Sequence, residues 1–284
     1  MEKDPAFEQY RPMLFSIAYR MMGTVSDAED MLQETFLRWH QSKNAPIRSP
    51  KSYLATIITN LCLDQLRSAR KRKEEYVGPW LPEPILYDDN SDIRMAETLS
   101  VGFLLLLETL SPAERAVFLL REVFEFEYLE IAKILKKTEE NCRQMLTRAR
   151  KKISQGKPRF DASKQEQQRL MQEFLRASTT GDLQTLLRIL SEDAVLISDG
   201  GGKVAAALNP IYGSDKVVRF ILGILPKLPP GIKTIFASVN GTPGWINYLG
   251  TEPHSVIIPE FSDRGIRSIY IVSNPEKLQH LRGI

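Results

Sequence analysis

Apolar positions in the first 75 residues recur with the period of a helix buried along one side. Ala28, Met31, Leu32, Thr35, Phe36 and Trp39 fall three and four residues apart, with Asp27, Glu29, Asp30 and Glu34 set between them. Ser26 followed by Glu29 has the form of a capping box, which predicts a helix beginning at Asp27. A second helix is predicted over 51–72. It has Leu54, Ile57, Ile58, Leu61 and Leu66 inward and Ser49-Pro50 at its start.

The pattern breaks over 76–95, where Pro79, Pro82 and Pro84 surround Trp80 and Leu81 ahead of an acidic run, Asp88, Asp89 and Asp92. This stretch reads as a linker. Helical periodicity resumes over 95–152, with Ser111-Pro112-Ala113-Glu114 as a start signal: N-cap serine, proline at the first position and glutamate at the third. Two shorter helices, over 127–135 and 139–154, are separated by Lys136-Lys137-Thr138. After a polar junction over 155–164 the period mixes. Helices are predicted over 165–178, 182–190 and 214–225, and strands over 194–198, 234–239, 245–249, 255–259 and 266–272. The chain therefore divides into helical domains over 1–75 and 96–157, a Pro/acidic linker over 76–95, and a small α+β cone or barrel over 165–284.

Composition narrows the class by exclusion. A net charge of +3 over 284 residues is too small to mark a nucleic-acid binder, so the distribution of charge must carry that argument. One basic cluster is Arg67, Arg70, Lys71, Arg72 and Lys73. Another runs through Arg143, Arg148, Arg150, Lys151 and Lys152 to Lys157 and Arg159. Cys62 and Cys142, each inside a predicted helix, form no framework and read as buried thiols in a reducing compartment. The N-terminus has no apolar targeting core, and Val101–Leu107 is far short of the roughly 20 residues of a membrane span. A cytoplasmic, soluble protein is expected. His40, His254 and His280 are scattered and the cysteines lack ligand spacing, so neither metal nor cofactor is expected.

Residues 128–152, YLEIAKILKKTEENCRQMLTRARKK, have helix-turn-helix spacing. Met145, Leu146, Ala149 and Ile153 form the inner face of the second helix, with Thr138 as its candidate N-cap. Asn141, Arg143, Gln144, Thr147 and Arg148 face mostly outward. Arg, Asn and Gln can pair with base edges, and Lys and Arg can neutralise phosphates. A helical hairpin with a solvated basic face fits the same segment, and Asn141 could serve as a local cap. Around the other basic cluster lie Arg48, Lys51, Tyr53, Asn60 and Asp64, the aromatic and amide groups that single-stranded bases use for stacking and edge contacts. Basic side chains at the end of that helix also suit its dipole.

Three of these segments resemble the extracytoplasmic-function sigma factors of bacterial RNA polymerase. Residues 27–39, DAEDMLQETFLRW, resemble the region 2 helix that docks on the polymerase clamp. Residues 52–67, SYLATIITNLCLDQLR, resemble the segment that reads and opens the −10 element. Residues 110–150, opening on LSPAER, resemble region 4, which binds the −35 element. The resemblance covers about residues 5–154, with the three segments in the family's order. It implies core polymerase and promoter DNA as partners, a chain monomeric when free, and no enzymatic activity. Asp30, Gln33, Glu34 and Leu37 would face the polymerase. Asn44, Arg48, Lys51, Tyr53, Asn60, Asp64 and Arg67 would meet the −10 element, with a base flipped out near 44–51. Asn141, Arg143, Gln144 and Arg148 would meet the −35 duplex. A helix-turn-helix repressor is the competing reading, and it leaves residues 27–67 unexplained.

The last 120 residues resemble a SnoaL-like, NTF2-like cone, a fusion carried by one class of these sigma factors. Three short signatures support this: Trp80-Leu81-Pro82-Glu83-Pro84 in the linker, Asp199-Gly200-Gly201-Gly202-Lys203 in the tail, and Asn274-Pro275-Glu276-Lys277 near the end, with Glu276 where the family usually has Asp. The expectation is a tail that docks on the linker and on region 2 and regulates the sigma factor in cis. The three consecutive glycines would permit close backbone approach. An ordinary glycine turn explains the same residues. Two other readings attach to the cone: an enzyme using Asp199 or His254, and a sensor for a small-molecule effector of unknown identity.

Overall fold

The computed structural model describes residues 4–42, 47–86, 98–156 and 163–283, and they fall into two compact units. Residues 1–74 group with 103–157, and residues 75–102 group with 158–284. The linker thus belongs to the same unit as the C-terminal domain.

The first unit is all helical. It opens with α1 (Pro5–Glu8), α2 (Arg11–Met22), α3 (Val25–Gln41) and α4 (Pro50–Glu74). Helix α3 starts two residues before the predicted point. Thr24, not Ser26, is its N-cap, accepting from the Asp27 amide at 3.3 Å, and the Thr24 hydroxyl donates to the Asp27 carboxylate at 2.6 Å. A β-branched residue with extended backbone dihedrals takes the cap because Gly23 turns left-handed just before it and ends α2. Helix α4 opens as the sequence predicts, with the Ser49 hydroxyl accepting from the Ser52 amide at 3.3 Å. Leu54, Ala55 and Ile58 of α4 are buried with Leu14, Ile17 and Met21 of α2 and Ala28 and Leu32 of α3. Burying each such side chain contributes about 1.5–3 kcal/mol.

The second half of this unit comprises α5 (Val101–Glu108), α6 (Pro112–Phe118), a π-helical turn at Leu119–Val123, α7 (Tyr128–Leu135) and α8 (Glu139–Gly156). The Ser111–Glu114 capping box is fully formed. Lys136, at φ +52, takes the left-handed conformation that ends α7. Thr138 then accepts from the Asn141 amide at 3.2 Å to begin α8. Helix α7 packs on α4 as well as on α8.

The C-terminal domain contains α9 (Lys164–Thr180), α10 (Leu183–Ile189), β1 (Leu190–Asp199), β2 (Ile211–Tyr212), α11 (Ser214–Ile224), β3 (Ile232–Val239), β4 (Thr242–Leu249), β5 (Glu252–Ser262), β6 (Gly265–Val272) and a 3-10 helix at Pro275–Leu281. The strands form one sheet in the order β2-β1-β6-β5-β4-β3. Strands β1 and β6 are parallel and every other pair is antiparallel. One face packs against α9–α11: Leu196, Trp245, Ile257, Ile269 and Ile271 share a core with Leu170, Phe174, Leu186, Val217 and Ile221. Alternation sends Ile246, Tyr248, Val256, Ile258, Tyr270 and Val272 to the opposite face, and all six are buried. Short β2 and the 3-10 helix escape the sequence pattern, having too few residues to show a period.

Among the described residues no helix is long and apolar enough to cross a membrane.

Candidate nucleic-acid interface and linker-docking site

Helix α8 presents the expected polar face. Cys142, Met145, Leu146, Ala149 and Ile153 are buried, whereas Asn141, Arg143, Gln144, Thr147 and Arg148 are exposed. Arg143 lies 4.4 Å from the centroid of the Tyr128 ring and 3.1 Å from the Glu139 carboxylate. The guanidinium is held by a neighbour on each side while its outer edge stays in solvent. Arg148 and Lys152 approach the nearly buried Glu114 carboxylate at 3.6 and 2.9 Å. Burial alone would raise the Glu114 carboxyl, but the Lys152 ammonium and the Ser111 donors outweigh it and hold the group below its usual range. Glu114 therefore joins the cap of α6 to the middle of α8.

On α3, Asp30, Gln33 and Leu37 are exposed and Glu34 is half-buried, pairing with Arg38 at 2.8 Å. Leu37 is 48% exposed, a large apolar side chain presented among acids.

The residues expected near the −10 element behave differently from one another. Asn44 lies outside the described residues. Arg48 is exposed. Asp64 and Arg67 pair with each other at 3.1 Å, both open to solvent. Tyr53 packs against Trp39, ring centroids 6.1 Å apart. Three positions on α4 are engaged by the other helical half. Lys51 sits 4.8 Å from the centroid of Phe126, Ser52 donates to Glu130 at 2.6 Å, and the Asn60 amide donates to the Ile134 carbonyl at 3.2 Å. The Ser52 hydroxyl, as the largest influence, holds the Glu130 carboxyl below its usual range. Buried Arg115 closes the same seam, donating to the Met21, Leu107 and Glu108 oxygens.

The linker signatures meet on the sheet face opposite the helices. Asp199, at the end of β1, is fully buried, and both carboxylate oxygens are occupied. One accepts from the Tyr76 hydroxyl at 2.6 Å and the Gly201 amide at 3.0 Å. The other accepts from the Leu81 amide at 2.8 Å and the Lys277 ammonium at 2.7 Å. Lys277 also donates to the Leu81 carbonyl and lies 4.9 and 4.4 Å from the ring centroids of Tyr76 and Trp80. Leu81, Pro82, Glu83 and Pro84 are buried, and Trp80 is half-buried. Burial, and next the bond to Asp199, push the Tyr76 phenol above its usual value. A carboxylate with four protein donors has no lone pair left for proton transfer, so Asp199 is not a catalytic base. His254 stands half-buried on β5.

The glycines have distinct reasons. A Cβ on Gly201, at φ +58, would lie 2.2 Å from the Asn274 amide nitrogen and 3.0 Å from the Tyr76 hydroxyl. On Gly202 it would meet Val77 at 3.1 Å, and on Gly200 it would meet the Val204 carbonyl within the same loop at 2.5 Å. Only Gly201 and Gly202 face the linker. Lys203, expected to contribute to the grip, instead pairs with Glu276 at 3.0 Å within the C-terminal domain. Asn274 caps the 3-10 helix by accepting from the Glu276 amide and donates to the Tyr76 hydroxyl at 2.9 Å. Pro275 opens that helix and is itself exposed. Gly201→Ala is expected to expel the Tyr76 hydroxyl and raise protease cleavage over 76–86 at least tenfold, with little loss of the domain core.

Sequence reasoning missed Tyr76, Asn240 and His280. The His280 Nε2 lies 2.6 Å from the Pro84 carbonyl, which requires the proton on that nitrogen. Asn240-Gly241 reads as a hairpin corner, but nothing in the pattern shows a linker lying against it.

Comparison with known proteins adds the family. The Sigma-70 region 2 family model matches residues 6–72, and the Sigma-70 region 4 model matches residues 101–153. The extracytoplasmic-function (ECF) RNA polymerase sigma factor SigJ of Mycobacterium tuberculosis is 35% identical over 95% of this chain and 91% of its own. The probable ECF sigma factor SigI of the same species is 28% identical over 98% of this chain and 95% of its own. The crystal structure of SigJ superposes with a TM-score of 0.77 at 32% identity, covering 96% of this chain and 97% of that one.

Proposed function

The chain belongs to the extracytoplasmic-function family of RNA polymerase sigma factors, and from that premise we propose how its parts divide the work of transcription initiation. Asp30, Gln33, Glu34 and Leu37 of α3 dock on core polymerase. Arg48, Lys51, Tyr53, Asn60, Asp64 and Arg67, with Asn44, take the −10 strand. Asn141, Arg143, Gln144 and Arg148 enter the −35 major groove. The carrying observation is the exposed Asn141–Arg148 face of α8, mounted on a helix-turn-helix whose first helix Lys136 ends and whose second Thr138 caps. Because α7 engages Ser52 and Asn60, and Phe126 just ahead of it engages Lys51, the two helical halves must part before α4 can hold the −10 strand.

The C-terminal domain regulates this in cis by gripping the linker through Asp199 and Lys277. A finer reading, a small-molecule effector inside that domain, has one supporting feature. It is a hydrogen-bonded file from Thr234 to Asn247 (2.8 Å) to Ser255 (3.0 Å), on strands whose alternation puts it on the helix-covered face. A ligand thermal-shift screen on the full chain tests it.

The main test is transcription by core polymerase with the full chain on mixed genomic promoters. Start sites sharing a −35 and a −10 motif are expected. Arg143→Ala should lower output about tenfold or more, the effect of losing a bidentate base contact worth roughly 1–3 kcal/mol, and relax one −35 position. If the full chain starts transcription from no promoter, the division of roles is wrong.

A further inference from the structure

Asn240 stands at the β3–β4 corner with φ +53 and is fully buried. Its side chain bonds backbone at both Ile85 and Leu99. The carbonyl oxygen accepts from the Ile85 amide at 3.1 Å, and the amide nitrogen donates to the Leu99 carbonyl at 3.1 Å. Its backbone amide also donates to the Ile85 carbonyl at 2.8 Å, and Leu86 forms an antiparallel bridge with Val239. Ile85 and Leu99 lie on either side of the linker's middle, so the chain departs from and returns to one side chain.

The returning end passes close to a second group. The Glu260 carboxylate, hydrogen-bonded by the Tyr270 hydroxyl at 3.0 Å, lies 2.2 Å from where a Gly102 Cβ would stand. A Cβ at Gly102 would force this carboxylate to move.

The consequence is length. Residues 75–102, fully extended at about 3.4 Å each, would reach roughly 95 Å. Elements named −10 and −35 lie about 25 base pairs apart, or about 85 Å at ~3.4 Å per base pair. While Ile85 and Leu99 are both bonded to Asn240, the residues between them add nothing to the linker's reach.

We propose that Asn240 is a clip that keeps the linker between the two promoter-reading domains folded back, and that its opening sets how far those domains separate on DNA. This rests on the proposed cis regulation but names a different residue and a different act. Asp199 and Lys277 hold the first arm alone, whereas Asn240 joins the arms.

The test uses the full chain with core polymerase on one promoter whose −35/−10 spacer is varied by single base pairs. Asn240→Gly keeps the left-handed corner and the backbone bond to Ile85 but removes both side-chain bonds. Asn240→Asp keeps the acceptor for Ile85 and replaces the Leu99 donor with an oxygen that repels the carbonyl. Both variants are expected to raise output severalfold on the longest spacers and little on the shortest. Amide exchange at Ile85 should accelerate at least tenfold in the glycine variant and stay slow in the aspartate variant. Unchanged spacer dependence in both, with Ile85 exchange accelerated in the glycine variant, would overturn the clip. If Asp199→Asn still alters output in that case, linker docking survives and only the clip fails. A uniform fall in output across all spacers would also overturn it, because the folded-back linker would then be the active form.

Discussion

Replacing Asp199 with alanine is expected to release the linker from the C-terminal domain without unfolding the domain. The substitution leaves a buried ammonium at Lys277, a buried amide at Leu81 and the Tyr76 hydroxyl without their shared acceptor. Removing one partner of a buried ion pair destabilises by about 3–5 kcal/mol when the other must stay buried. Undocking offers a cheaper outcome. It gives up the burial of Leu81, Pro82, Glu83 and Pro84 but returns all three polar groups to water and leaves the helix-covered core of the sheet intact. Local release therefore wins over global unfolding. Amide exchange at Leu81 should rise by two orders of magnitude or more, and a protease should cut within 76–86, while urea unfolding of the sheet shifts only slightly. Asp199→Asn should act nearly as strongly, since its amide group must turn its donors either toward Tyr76 and Gly201 or toward Lys277 and Leu81, and it carries no charge for Lys277. If Leu81 stays protected in both variants, Asp199 does not hold the linker.

Arg115→Ala should produce the second large effect, in the helical unit. The Arg115 side chain is only 5% exposed and bonds three oxygens, two of them backbone carbonyls. Met21 belongs to the last turn of α2, where carbonyls lack partners within the helix, so Arg115 supplies a donor that the turn itself cannot. Hydrogen bonds from a charged donor contribute about 1.5–3 kcal/mol each, and Glu108 can recover water. A loss of about 3 kcal/mol in the stability of this unit is expected from urea unfolding. Arg115→Lys should recover less than half, because a single ammonium cannot reproduce the fork that reaches Leu107, Met21 and Glu108 together. Equal stability of the lysine variant and the parent would show that charge, not geometry, holds the seam.

Much of the fold was legible because it is local. The Ser111–Glu114 box, the Lys136 break, the Thr138 cap and the inner face of α8 each depend on residues within one or two turns, and each appears as the pattern predicts. Where the local reading slipped, two caps competed: Thr24 and Ser26 both had the right chemistry, and the turn at Gly23 decided for Thr24. The exposed polar residues of α8 were legible for the same reason, since one helical face must be apolar and the other is left to solvent.

The linker site was legible in composition and not in geometry. Trp80–Pro84, Asp199–Lys203 and Asn274–Lys277 stood out as segments, yet the sequence could not say which side chains join. Lys203 looked as suitable a partner as Lys277, and the structure turns Lys203 outward to Glu276 and Lys277 inward to Asp199. The turn after β1 carries Lys203, and the 3-10 helix that opens at Pro275 carries Lys277, so where those two segments run decides between them.

By itself the sequence determined the helices, the family and the exposed polar face of α8, because periodicity, caps and ordered motifs act over a few residues at a time. Only the tertiary structure decided that the linker belongs with the C-terminal domain, that Phe126 and α7 engage Lys51, Ser52 and Asn60, and that Asn240 bonds both arms of the linker. Those contacts join residues 70 to more than 150 positions apart, and a single buried hydrogen bond at that separation leaves no periodic mark on the chain.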